Sequence, residues 1–333
     1  MTSTESSVET PTSTFRQDVL DGLRRKPRSL PCKHFYDKAG SLLFDQICAL
    51  PEYYLTRSET ALIERHLDSF AATCGKKAVL IELGSGSSVK TRLLLDRMRD
   101  LACYVPIDIS AQHLHDTARS LRARYSELAV LPVVADYARE LPRASALQSP
   151  RGAGRRIVFF PGSSIGNFEP AAAVALLERI RRLAGAGGLA LVGADLGRQP
   201  EAVHAAYNDS AGVTAAFNKN LLTRINRELR GDFDLNQFAH EAVFQLDQRR
   251  VEMRLVSAIT QRVRVCNDTF EFSAGERIVT EHCYKHSPDD FRSLARAAGL
   301  DLVRLYTDES ETMGMFELRV PSETRSAPSS NES

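Results

Sequence analysis

Leu80-Ile81-Glu82-Leu83-Gly84-Ser85-Gly86-Ser87-Ser88-Val89-Lys90, with Val105-Pro106-Ile107-Asp108-Ile109-Ser110 further on, is the stretch that decides the fold. The apolar run over 78–81 reads as a buried parallel strand. It ends in two glycines one residue apart, and a helical pattern then starts at Leu93, Leu94, Leu95, Met98 and Leu101. Glycines at a strand-to-helix turn let the backbone approach a ligand, and the helix N-terminus offers free N–H groups. A second apolar strand ends in Asp108, about 20 residues on, the usual place for a carboxylate that grips ribose hydroxyls. Together these read as a nucleoside site at the carboxyl ends of two adjacent strands.

Outward from that stretch, residues 60–197 alternate helix and strand, which indicates a doubly wound parallel sheet. Strands are expected over 78–83, 104–108, 130–135, 156–160 and 189–193, with helices over 111–128 and 170–183 between them. After Gly197 the rhythm changes. Helices are expected over 202–217 and 221–229, then β-rich segments over 251–265, 269–272 and 277–285, read as an inserted antiparallel meander. A helix from 287 and strands over 302–306 and 313–320 complete a seven-stranded sheet. The fold class is therefore α/β, a doubly wound seven-stranded sheet with a second, α+β domain.

Composition narrows the function. Across 333 residues, 43 Lys and Arg nearly balance 42 Asp and Glu, giving a net charge of +1. No basic block is interleaved with aromatics, so nucleic acid is not expected as a partner. Six scattered cysteines without a Cys-x-x-Cys pair read as reduced thiols in a cytoplasmic protein. Residues 1–14 lack the basic start and apolar core of a signal peptide, and no apolar run approaches the ~20 residues of a membrane span. Both 1–14 and 322–333 read as disordered tails. His113-x-His115 sits on an expected helix, where two such rings cannot share a face, so no metal site is expected.

Val89 stands where a dinucleotide fingerprint needs its third glycine, and Lys90-Thr91 lacks the glycine of a phosphate-binding P-loop. The acid two residues before the first glycine instead resembles the first motif of S-adenosylmethionine-dependent methyltransferases. A dinucleotide fold or a structural glycine turn remains open on that motif alone. Asp136-Tyr137 follows the third strand, as Asp108 follows the second. A carboxylate there can accept from an adenine amino group while the ring packs beside the base. The loop Phe160-Pro161-Gly162-Ser163-Ser164-Ile165-Gly166-Asn167-Phe168 ends the fourth strand, where ligands of such sheets are met.

Longer strings carry a narrower resemblance. They include Phe35-Tyr36-Asp37, Leu50-Pro51-Glu52-Tyr53-Tyr54-x-Thr56-Arg57 and Phe160-x-Gly162-Ser163-x-Ile165-Gly166-Asn167. Ala206-Tyr207-Asn208-Asp209-x-Ala211-Gly212-Val213-Thr214-Ala215-Ala216-Phe217-Asn218, Asn226-Arg227-Glu228-Leu229, Glu252-Met253 and Thr280-Glu281-x-Cys283-x-Lys285 extend it. With them the chain, over about 15–320, resembles the histidine-specific Nα-methyltransferases of ergothioneine biosynthesis, which form the trimethyl betaine hercynine. The resemblance implies that Gly84, Gly86, Lys90, Asp108, Asp136, Tyr137 and Phe44 hold S-adenosylmethionine. It implies Tyr53, Asn167, Tyr207, Glu281 and Cys283, with Tyr36 and Met253, for a histidine site, and Asn167 and Tyr207 as the catalytic pair at the amine. It also implies a substrate-binding domain from 15–58 and 198–286, and a methyltransferase core from 59–197 and 287–321. We expect a monomer.

The chemistry suits those residues. Methyl transfer from a sulfonium to an amine is an in-line displacement, so alignment dominates, and the amine must be neutral. Asn167 offers an acceptor and Tyr207 a hydroxyl that do not stabilise an ammonium as a carboxylate would. Aromatic faces such as Tyr36, Phe44 and Tyr53 attract a sulfonium or methylammonium. Glu281 can accept from an imidazole N–H, while His282 points outward by strand alternation. The family has Ser where this chain has Cys283, and a thiol is the weaker hydrogen-bonding group. Methylation of another amino acid's α-amine therefore stays open. A non-catalytic nucleoside-binding protein and a nicotinamide dehydrogenase are the rival classes.

Overall fold

The computed structural model describes residues 11–86, 88–139, 141–142, 147 and 150–322. The chain opens with α1 (Pro11–Arg24), the short strand β1 (Arg28–Ser29), α2 (Lys38–Ala49) and α3 (Tyr54–Cys74). Strands and helices then alternate: β2 (Val79–Leu83), α4 (Val89–Arg97), β3 (Cys103–Asp108), α5 (Ala111–Arg124), β4 (Val133–Val134), β5 (Arg156–Phe160), α6 (Pro170–Ala184) and β6 (Leu189–Asp195). Helices α7 (Pro200–Tyr207) and α8 (Val213–Leu229) lead into β7 (Phe238–Gln245), β8 (Arg250–Ser257), β9 (Gln261–Val265), β10 (Asp268–Phe272) and β11 (Arg277–Tyr284). The last elements are α9 (Pro288–Ala297), β12 (Asp301–Thr307) and β13 (Met313–Arg319). Of the tail expected over 1–14, residues 11–14 belong to α1 and the remainder lies outside the described residues, as does 323–333 of the other.

The chain forms two compact units, one of residues up to Arg57 with Gly197–Lys285, the other of Ser58–Leu196 with the residues from His286 on. The second unit holds a seven-stranded sheet in the order β12-β13-β6-β5-β2-β3-β4. Strands β2 to β6 run parallel, and β13 and β12 add on antiparallel. Every residue of β2 and β6 is buried, as parallel strands covered on both faces require. Helix α9 starts with a capping box between Ser287 and Asp290 and with Pro288 in its first turn. Strand β6 runs two residues beyond the expected 193 because β13 pairs with it as far as Asp195. The strand expected over 130–135 shrinks to β4 plus a bridge from Val130 to Tyr104, since Pro132 removes a ladder donor at this edge. Helix α5 ends at Arg124, short of the expected 128, where Tyr125 leaves the helical backbone and its hydroxyl donates to Asp96 at 2.8 Å.

The first unit holds a four-stranded sheet, β1-β11-β8-β7, and a separate hairpin of β9 and β10. The expected meander is thus two sheets. Strand β1 joins the larger one parallel to β11, and the segment expected over 251–265 breaks between β8 and β9. Strand β7 was not foreseen, because Ala239, His240, Glu241 and Ala242 are weak strand formers and pairing with β8 decides its state. The helix expected over 202–217 divides into α7 and α8. Between them Asn208 bonds the backbone of Ala242, and the Asp209 carboxylate accepts from Val213 N and Thr214 N at 2.8 Å each. Arg57 secures the turn before α3 by donating to Leu50 O, Pro51 O and Tyr53 O.

One buried acid sets a close approach in the second unit. Glu59 of α3 is fully buried, pairs with Lys90 of α4 and accepts from Gly162 N at 2.8 Å. A β-carbon at Gly193 of β6 would lie 2.0 Å from Glu59 Oε1. We predict that Gly193→Ala displaces this carboxylate and destabilises the protein by about 1–3 kcal/mol, the range for overpacking. Denaturant unfolding measures it, and unchanged stability would refute the account.

Candidate functional site

The turn after β2 takes the shape its glycines allow. Gly84 and Gly86 have φ of +68° and +46°, which only glycine adopts readily. Gly84 N donates to Ile107 O at 2.8 Å, and Gly86 N donates to Asp108 Oδ2 at 3.1 Å. The other oxygen of Asp108 accepts from Ser110 N at 2.9 Å. A carboxylate has about four acceptor positions, so capacity for two ribose hydroxyls is left. The Tyr137 ring lies over Gly84, 3.5 Å from where a β-carbon would stand, and meets Phe160 edge-on at 5.4 Å. Its neighbour Asp136 accepts from Ala138 N at 2.9 Å. A β-carbon at Gly86 would meet open space, so the turn offers bare backbone beside carboxylates and a ring. This donor and acceptor set fits an adenosyl group.

Two further acids sit behind the turn. Glu82 is buried at the end of β2, where it accepts from Thr91 Oγ1 at 2.6 Å and from the Tyr104 hydroxyl, itself bonded to Ser88 at 3.2 Å. Burial pushes the Glu82 carboxyl up to about 7, against the pull of those hydrogen bonds. Lys90, expected at the cofactor, pairs with Glu59, and its Nζ would lie 3.9 Å from a β-carbon at Gly162. Asn167 closes the short 3₁₀ turn Ser164–Asn167 after β5.

The first unit gathers the residues expected to hold histidine except Asn167, which belongs to the second. Tyr207 is the last residue of α7, and its hydroxyl donates to Cys283 Sγ at 3.0 Å. Ring centroids link Tyr207 to Tyr53 at 6.5 Å, Tyr53 to Phe44 at 6.2 Å and Phe44 to Tyr36 at 5.5 Å. Phe44, expected at the cofactor, therefore belongs to this aromatic group. Strand β11 shifts register between Val279 and Glu281, so Glu281 pairs with Met253 and Cys283 with Val251. The bulge brings Glu281 and Cys283 onto the face of Ile278 and Leu255. His282 takes the opposite face, 3.3 Å from Glu252, as strand alternation predicts.

Three residues of this cluster had drawn no role from the sequence. Lys285 is buried, and its ammonium donates to Tyr207 Oη at 3.2 Å and to Cys283 Sγ at 3.3 Å. It stands two residues after Cys283 in the string Thr280-Glu281-x-Cys283-x-Lys285, and that spacing is the signal in the sequence. His240 Nε2 lies 2.9 Å from Tyr207 O, and its Nδ1 lies 2.9 Å from Asn218 Nδ2. A carbonyl only accepts and an amide NH₂ only donates, so the ring is neutral with its proton on Nε2. Burial lowers its pKa in the same sense. Asn218 likewise ends one of the strings shared with the family, whereas nothing in the sequence marks His240, because only pairing of β7 brings it to Tyr207.

Burial also raises Glu281 to about 7, while the charge of Lys285 pulls the other way. A carboxyl raised above its unfolded value binds its proton more tightly when folded, so it disfavours folding as pH rises from about 4.5 to 7 and by a constant amount above that. We predict that Glu281→Gln removes this dependence. Its melting temperature relative to the unsubstituted protein should climb between pH 5 and pH 8, and a flat difference would contradict the assignment.

Comparison with known proteins adds independent findings. The sequence model of a family described as "Histidine-specific methyltransferase, SAM-dependent" matches residues 15–320. The histidine N-alpha-methyltransferase of Mycobacterium tuberculosis (strain CDC 1551 / Oshkosh) is 41% identical over 306 residues, covering 90% of this chain and 93% of that protein. That of Mycolicibacterium smegmatis is 40% identical over 306 residues, with the same coverage of 90% and 93%. Ergothioneine biosynthesis protein 1 of Neurospora crassa is 29% identical over 291 residues, which cover 86% of this chain and 32% of that longer protein. With the family match reaching from the first helix to the last strand, this chain belongs to the histidine-specific, SAM-dependent methyltransferases.

Proposed function

We propose that this protein transfers methyl groups from S-adenosylmethionine to the α-amino nitrogen of L-histidine, three in succession, to give hercynine for ergothioneine biosynthesis. The observation that carries the substrate reading is Glu281, an acid raised by burial, sharing a strand face with Cys283, which the Tyr207 hydroxyl reaches. An imidazole N–H is a fitting donor for such a carboxylate, and the charge-assisted bond is about twice as strong as a neutral one. Family membership and the names of the mycobacterial relatives support the same reading.

When bound, S-adenosylmethionine supplies an electrophilic methyl on a sulfonium. Asp108 would take the ribose hydroxyls, Asp136 the adenine amino group and Tyr137 the base, with Gly84, Gly86 and Lys90 completing that set. Tyr207 and Asn167 are assigned to the acceptor amine, and Met253 and Tyr53 to the walls around the imidazole. The aromatic group of Tyr36, Phe44 and Tyr53 would favour a methylammonium by about 0.5–2 kcal/mol per good contact. We further place the reaction in the cytoplasm and assign the chain as a monomer acting on a small molecule.

Cys283 favours a second reading, in which the α-amine of another amino acid is the acceptor. Radiomethyl transfer to a panel of amino acids decides between the two. Histidine should give the highest kcat/KM, with mass spectrometry showing mono-, di- and trimethyl products. Glu281→Ala should nearly abolish selection of histidine over phenylalanine, and Cys283→Ser should keep or improve histidine kcat/KM. Preference of the unsubstituted protein for another acceptor would refute the substrate and keep the reaction type.

The cofactor assignment has its own check. Charged hydrogen bonds contribute about 1.5–3 kcal/mol each, so Asp108→Ala should weaken S-adenosylmethionine binding at least tenfold. Calorimetry on a folded variant with unaltered affinity would remove Asp108 from the site.

A further inference from the structure

We propose that Lys285 is a positioning residue that acts through Tyr207 to keep the substrate's acceptor amine in its neutral, nucleophilic form. The proposal rests on the reading above, in which Tyr207 meets that amine. Lys285 is 2% exposed, yet it carries an ammonium, and burying such a charge is costly unless it is used or compensated. Its Nζ lies 3.2 Å from Tyr207 Oη, 3.3 Å from Cys283 Sγ and 4.9 Å from the Tyr207 ring centroid. Its backbone is clamped, with N donating to Arg249 O at 2.7 Å and O accepting from Arg249 Nε at 3.4 Å. The ammonium is therefore held against the phenol oxygen.

An amine in hydrogen-bond reach of that oxygen lies about 6 Å or less from Nζ. At this range a like charge disfavours the protonated form. An α-amino group is largely protonated near pH 7 and must shed its proton to solvent before its lone pair can take a methyl. A fixed cation beside Tyr207 shifts that equilibrium without a carboxylate base. It also occupies one side of Oη with a donor, so the hydroxyl proton points away from Lys285.

The other groups around Tyr207 and Lys285 fit this role. Tyr53 at the end of the turn before α3 is held protonated by burial. His240 on β7 is neutral, and Arg249 before β8 adds a second cation. Cys32, preceding α2, is kept a thiol by burial and by the charge of Glu281. Among the described residues Glu281 acts on Lys285, and Asp209 and Glu241 act on His240, and these acids offset part of the positive charge.

The test is the pH dependence of kcat at saturating histidine and S-adenosylmethionine, which reports groups in the ternary complex. Lys285→Met should lower kcat at least tenfold at pH 7 and recover to within threefold of the unsubstituted enzyme at pH 9.5. Lys285→Arg should stay within threefold throughout. The same alkaline recovery should occur in a Glu281→Gln background, which separates the amine from titration of Glu281. If Lys285→Met fails to melt cooperatively, Lys285→Gln replaces it with the same expectation. A loss that alkali does not restore, or no loss at pH 7, overturns the role of Lys285 while histidine methylation by the unsubstituted protein stands. Absence of that methylation overturns the functional reading together with it.

Discussion

The Asp108 carboxylate holds two backbone amides, Gly86 N and Ser110 N, at the point where β2 and β3 stop pairing. Strand ends leave amides without a ladder partner, and a ligand-binding turn cannot fill them with its own strands. Side-chain acids take over here. Glu59 does the same for Gly162 N, and Asp136 for Ala138 N. Glu82 works from below, joining Thr91 of α4 to Tyr104 of β3. The glycine turn is thereby fixed in position while its outer side stays bare, which suits a site that must be ordered before its ligand arrives.

In the other unit a single extra residue does comparable work. The register shift at Thr280 turns Glu281 and Cys283 away from the charged face of the sheet. That face carries Arg254 bonded to Glu241 and Glu252, and His282 beside Glu252. Without the bulge Glu281 would lie on that face, beside Arg254 and Glu252 rather than opposite Met253. With it, the acid is raised toward 7 and the nearby Lys285 becomes its counter-charge.

Tyr207 is fixed from three directions. Lys285 and Cys283 hold its hydroxyl, Tyr53 faces its ring, and His240 secures its carbonyl at the end of α7. The break after α7 is part of the same device, because Asn208 ties the helix end to β7 and Asp209 starts α8 anew. A continuous helix over 202–217 would leave Tyr207 mid-helix, without that strand beside it.

What the sequence determined by itself was local and periodic. Apolar runs marked β2, β3, β5 and β6, the glycine pair marked the turn, and Asp108 and Asp136 stood at strand ends because the chain order put them there. The long strings around Tyr53, Tyr207 and Glu281 carried the family. Only the tertiary structure decided the rest. Strand β7 exists through pairing with β8, the bulge at Thr280 through pairing of β11, and β4 shortens at a sheet edge. Glu59, His240 and Lys285 likewise acquire meaning from partners distant in sequence: Gly162, Tyr207 and Tyr207 in turn. Local propensity and spacing are properties of a segment, whereas burial and the pairing of a charge depend on which segments meet.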